Sequence, residues 1–165
     1  MVALKIDDMR QFTSQLFVKE TFDSFLVKDA RIVTFNSFSI DGRVRQGYYT
    51  EEETEENKIE EYSQWKAIRP VCFLLIKGKR LPESFHIVLK LPPENVRHIL
   101  TPLGGAVREE NVEGLYLNIK YENRELVCVT GLSLNYFTLD KTLDGEWDRT
   151  VKQFFKSKEI EYTEG

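Results

Sequence analysis

The amino-acid sequence predicts an α+β domain: a strongly curved, mainly antiparallel sheet of about six or seven strands, able to close toward a barrel, with N-terminal, middle and C-terminal helices. Three observations carry this reading. Segments with an apolar residue at every second position follow one another through short turns, as hairpin-linked strands do. Apolar stripes at spacings of three and four occur at the start, middle and end of the chain. Strand and helix patterns do not alternate as a doubly wound parallel sheet requires.

Asp7 and Asp8 precede Met9, Phe12, Leu16 and Phe17, an apolar stripe that predicts a short helix capped by either aspartate. A short aromatic stretch, Phe22, Phe25 and Leu26, leads into Ala30 to Ile40. This run is rich in Ile, Val, Thr and Phe and predicts a strand ending at Asp41-Gly42, a hairpin signal, with its return strand from Arg43 to Thr50. Glutamates dominate residues 51–61, so 51–64 reads as an acidic surface insert; Ile59, Tyr62 and Trp65 recur every third residue and suggest a helical turn at its end. Pro70 should stop that helix. Val71 to Ile76, apolar at every position, then predicts a strand covered on both faces, followed by a turn at Lys77-Gly78-Lys79-Arg80.

Phe85, Ile87, Leu89 and Leu91 alternate as a strand, and Pro92-Pro93 open a short helix through Val96, Ile99 and Leu100. Leu115 to Tyr121 alternate again, Asn123-Arg124 turn the chain, and Leu126 to Phe137 form the longest candidate strand, with Gly131 marking a bulge or bend. The last element is an amphipathic helix with Asp144 as cap, Trp147, Val151, Phe154 and Phe155 on its apolar stripe, and lysines near its end. The strands from Val71 to Leu91 and from Leu115 to Phe137 should form the centre of the sheet.

Length and composition bound the rest. The 165 residues, 41% apolar and 12% aromatic, suffice for one core and are too few for two comfortable domains, so 1–165 is expected to be a single domain. A net charge of −4 disfavours nucleic acid as a partner. Met1 to Arg10 contain no apolar core of a secretory leader, no run approaches the length of a membrane span, and Cys72 and Cys128 sit in apolar segments as buried thiols do. The expected setting is the cytoplasm, with no membrane partner.

Ala3-Leu4-Lys5-Ile6, Ser39-Ile40-Asp41-Gly42, Trp65 with Arg69-Pro70, and Ile76 to Pro82 together resemble a family of uncharacterised proteins from anaerobic Gram-positive bacteria of the Clostridia type. The resemblance spans nearly the whole chain. It implies a single-domain bacterial cytoplasmic protein and assigns no activity, cofactor or catalytic residue.

Motifs with a strong bearing on chemistry are absent: there is no Walker A loop, G-x-G-x-x-G, C-x-x-C or H-E-x-x-H. Gly131-Leu132-Ser133 lacks the second glycine of a nucleophile elbow. His86 and His98 have no ligand spacing between them, the acidic run lacks the glycine and spacing of a calcium loop, and no metal or cofactor is expected. The most suggestive cluster is basic: Arg69, Lys77, Lys79 and Arg80 around Gly78, with Trp65 as an aromatic wall, would suit a small anion. Lysines at a turn equally serve to keep sheet edges from pairing. The reading is therefore a non-enzymatic binding module for a small anionic ligand or a protein partner. Its alternatives are an enzyme assembled in three dimensions around His86 or a carboxylate, and a structural subunit.

Overall fold

Alternation along the chain decides the sheet. In the computed structural model, which describes residues 1–165, the strands are β1 (Ala3–Ile6), β2 (Leu26–Val33), β3 (Ser37–Asp41), β4 (Ser84–Lys90), β5 (Val112–Glu122), β6 (Glu125–Leu134) and β7 (Tyr162–Glu164). They form one antiparallel sheet in the order β3-β2-β4-β5-β6-β1-β7, open at both edges and not closed into a barrel. Registers place Ala30, Ile87, Ile119, Cys128 and Leu4 in one cross-strand row, all withdrawn from water. The predicted β4, β5 and β6 are thus the centre of the sheet. At Asn123-Arg124 both residues take positive φ, 53° and 61°, as a two-residue hairpin turn demands.

The chain forms five helices: α1 (Met9–Phe17), α2 (Glu51–Glu56), α3 (Trp65–Ile76), α4 (Pro93–Leu100) and α5 (Thr142–Ser157), of which all but α2 cover the sheet. Asp8 caps α1, its carboxylate accepting from the Gln11 N–H at 3.0 Å. Pro93 occupies the first turn of α4, where a missing N–H costs nothing. Phe12, Leu16 and Phe17 of α1, Trp65 and Cys72 of α3, Val96, Ile99 and Leu100 of α4 and Leu143, Trp147, Val151 and Phe155 of α5 join the apolar sheet residues in one core. Trp147 packs apolar while its indole N–H donates to the Tyr116 carbonyl at 2.9 Å. By contrast α2, held by a Thr50/Glu53 capping box, buries no residue.

Several expectations are corrected. Val71 to Ile76 is the second half of α3, not a strand, and Pro70 lies inside that helix rather than ending it. Pro70 faces water, where the Lys66 carbonyl it leaves unpaired can be solvated, so the lost bond is tolerated. The run Ala30 to Ile40 divides into β2 and β3 around a turn in which Thr34 N–H donates to the Asn36 carbonyl. No hairpin forms at Asp41-Gly42, and Arg43 to Thr50 is not a strand: Arg43 makes a single bridge with Tyr62. Tyr62 and Gln64 are extended, bridging Arg43 and Leu26, so the threefold recurrence of Ile59, Tyr62 and Trp65 is not helical. β6 ends at Leu134, and Gly131 pairs in regular register with Tyr116; the irregularities lie between Val27 and Asp29 and between Val112 and Gly114. α5 starts at Thr142, two residues before the expected cap, so Asp144 lies in its first turn. β1 and β7 are strands beyond those expected, and they pair with each other on the β6 side.

Gly42 is required for space rather than for turn geometry. Its N–H donates to the Lys28 carbonyl and its own carbonyl accepts from Ser63, which holds its Cα against β2. A methyl group there would lie 1.9 Å from the Val27 carbonyl oxygen. Gly42→Ala should therefore destabilise the protein by about 3 kcal/mol or more in urea denaturation. Gly145→Ala, in open space within α5, should instead stabilise it by up to about 1 kcal/mol, and equal effects would remove the crowding argument.

Candidate functional site

The largely apolar lining of one surface groove sets it apart. Met9, Thr13 and Val18 of α1 and its C-terminal end form one wall, Phe73, Ile76, Leu81 and Pro82 form the other, and Phe17, Phe85 and Tyr121 contribute aromatic surface between them. The groove encloses about 450 Å³, within the usual range of small-molecule sites. Its aromatic groups are fixed by packing: the Phe17 and Phe85 rings meet edge to face at 5.2 Å, and Tyr121 stacks on Phe85 at 5.3 Å. Arg10 and Lys77 line the same groove, and neither forms an ion pair within the protein.

The five residues singled out in the sequence separate into two groups. Lys77 ends α3 and lines the groove, and Lys79 and Arg80 follow it on the same exposed loop without ion pairs. Gly78 adopts φ 133°, a conformation that side chains rarely take and that lets the loop leave the helix sharply. Trp65 is elsewhere, fully buried in the core with its indole N–H donating to the Leu16 carbonyl at 2.9 Å, so it forms no wall over the basic turn. Arg69 is committed as well. Its guanidinium grips both oxygens of Asp23 at 2.9 Å and donates to the Val18 carbonyl, and this pairing raises its pKa. Arg10 lay unremarked in the sequence, because the amphipathic pattern of α1 assigns it only to the polar side.

His86 stands on the sheet face opposite the core, in register with Arg31 and Lys120, and makes no side-chain hydrogen bond. The depression around it, about 270 Å³, also contains Ser84 and Glu122, the latter paired with Lys120 at 3.0 Å. His98 is exposed on α4 and makes no side-chain hydrogen bond. Ser133 lies within β6 and donates to Glu113, so the Gly131-Leu132-Ser133 run is plain strand. No three His, Cys, Asp or Glu side chains converge as a metal-binding group.

Cys72 and Cys128 are free and buried, and burial pushes the Cys72 thiol up to about 12 and the Cys128 thiol up as well. Ellman's reagent at mildly alkaline pH should accordingly titrate neither thiol in the native protein and both after denaturation. Fast native labelling would show that one of them reaches solvent. Arg69→Ala strands a largely buried Asp23 carboxylate and should cost about 2 kcal/mol in urea melts, whereas Lys79→Ala should stay within about 0.5 kcal/mol. Equal costs would mean that Arg69 does not anchor α3.

No curated protein and no solved structure matches the chain. A family profile described as a family of unknown function, DUF5721, matches residues 15–163, and by that match the chain belongs to this family.

Proposed function

We propose that the protein is a non-enzymatic binding module for a small amphiphilic anion, a molecule with an apolar body and one acidic head group. The observation that carries this reading is the combination, in one groove, of an apolar lining with two cations, Arg10 and Lys77, that have no anionic partner in the chain. The apolar body would lie between α1 and the end of α3, gaining about 0.8 kcal/mol for each methylene buried. The head group would meet Arg10 and Lys77, with Lys79 and Arg80 adding attraction from the same loop. The rigid aromatic contacts around Phe85 limit the cost of ordering the site on binding. Two buried, unbridged thiols and the resemblance to Clostridia-type proteins support a bacterial cytoplasmic setting.

Calorimetric titration with decanoate and dodecanoate below their micelle concentrations tests the proposal. Dodecanoate should bind more tightly than decanoate, and inorganic phosphate alone should not bind measurably. Replacing both Arg10 and Lys77 by Ala should weaken dodecanoate by about tenfold, equivalent to about 1.4 kcal/mol. Thr13→Trp, which fills the groove from α1, should abolish binding while leaving the fold intact by circular dichroism. Absence of dodecanoate binding, or affinity unchanged in both variants, would overturn it.

A further inference from the structure

The outward side of α3 has the reverse of the usual chemistry of a surface helix. Trp65 and Cys72 face the core, so Ala67, Pro70, Val71 and Leu74, on the opposite side, meet water. Val71 is 48% exposed and Leu74 60% exposed. No charged or hydrogen-bonding side chain interrupts this stripe, where an ordinary amphipathic helix would carry its polar residues. Leu81, 80% exposed on the loop that follows, extends the apolar surface.

Charge is segregated around the same surface. From Trp65 to Pro82 the chain contains no Asp or Glu, although the protein as a whole is acidic. Lys66, Lys77, Lys79 and Arg80 are exposed and free of ion pairs, and only Arg69 is neutralised, by Asp23. An exposed apolar stripe beside unpaired cations is the pattern of a helix lying in the interface of an anionic bilayer. A second copy docking through this face about a twofold axis would bring the same cations together, and a neutral bilayer would leave them unmatched.

We propose that α3 and the loop after it dock on an anionic lipid surface, with Val71, Leu74 and Leu81 entering the headgroup boundary and Lys66, Lys77, Lys79 and Arg80 facing lipid phosphates. The expectation of no membrane partner rested on the lack of a spanning segment, and no helix here is long and apolar enough to cross a membrane. Lying on the surface requires no such segment. This surface meets the groove at Lys77 and Leu81, yet the docking does not depend on the groove holding a ligand.

Co-sedimentation of the full chain with phosphatidylcholine vesicles, and with vesicles containing about one third phosphatidylglycerol, decides the matter. The protein should pellet with the anionic vesicles, remain soluble with the neutral ones and be released by high salt. The Val71→Ser/Leu74→Ser variant should partition at least about tenfold less. Its dodecanoate affinity should match that of the wild type, because neither residue lines the groove. No pelleting with anionic vesicles, or equal pelleting of the double variant, would overturn the proposal. So would sedimentation-velocity evidence of a dimer that the double variant loses without any vesicle binding, since the face would then belong to a second copy. Loss of dodecanoate binding alone would overturn the groove reading and leave this one standing.

Discussion

One unbroken apolar sheet face governs this molecule. The row Ala30, Ile87, Ile119, Cys128 and Leu4 crosses five adjacent strands, and each residue must be kept from water on the same side. Hairpins leave that side bare, so the helices must cover it. Large aromatic side chains on three of them meet this need. Phe12, Phe17, Trp65 and Phe155 are fully or almost fully buried, and Trp65 and Trp147 each satisfy an indole N–H on a backbone carbonyl, which lets a polar ring occupy a dry core.

The position of α3 follows from the same constraint and explains its unusual sequence. Trp65 anchors the helix to the core, and the Arg69–Asp23 fork ties the next turn to the segment after α1. These two attachments hold Arg69 in helical geometry although the proline after it disfavours that conformation. A helix fixed through one narrow side leaves its opposite side in water, and here that side is apolar, with Val71 and Leu74 exposed. The groove and the outward stripe thus arise from one cause, a helix whose hydrophobic surface exceeds what the sheet can cover.

The basic cluster was legible in the sequence as a concentration of charge, but its geometry was not. Lys77, Lys79 and Arg80 remain at the surface, where lysines and arginines cost least. Arg69 and Trp65, equally plausible as surface groups by residue type, are drawn inward by partners far along the chain, Asp23 and Leu16. Arg10 joins Lys77 only because α1 and the end of α3 lie side by side. None of these separations, each of more than forty residues, leaves a local pattern to read.

By itself the sequence determined the elements with a period: the strands β4, β5 and β6, α1 with an aspartate before it as cap, the proline start of α4 and the amphipathic α5. Such signals are local, since side-chain direction repeats every two residues in a strand and every three or four in a helix. Val71 to Ile76 has no period because every position is apolar, so its identity depended on what covers it, and only the packed structure decided for a helix with one side open. β1 and β7 are short, and they are strands because β6 and then β1 offer them backbone partners across more than a hundred residues of chain. Gly42 shows the same division. A glycine after aspartate announced a turn, yet the crowding against the Val27 carbonyl that requires it exists only once the end of β3 has met β2.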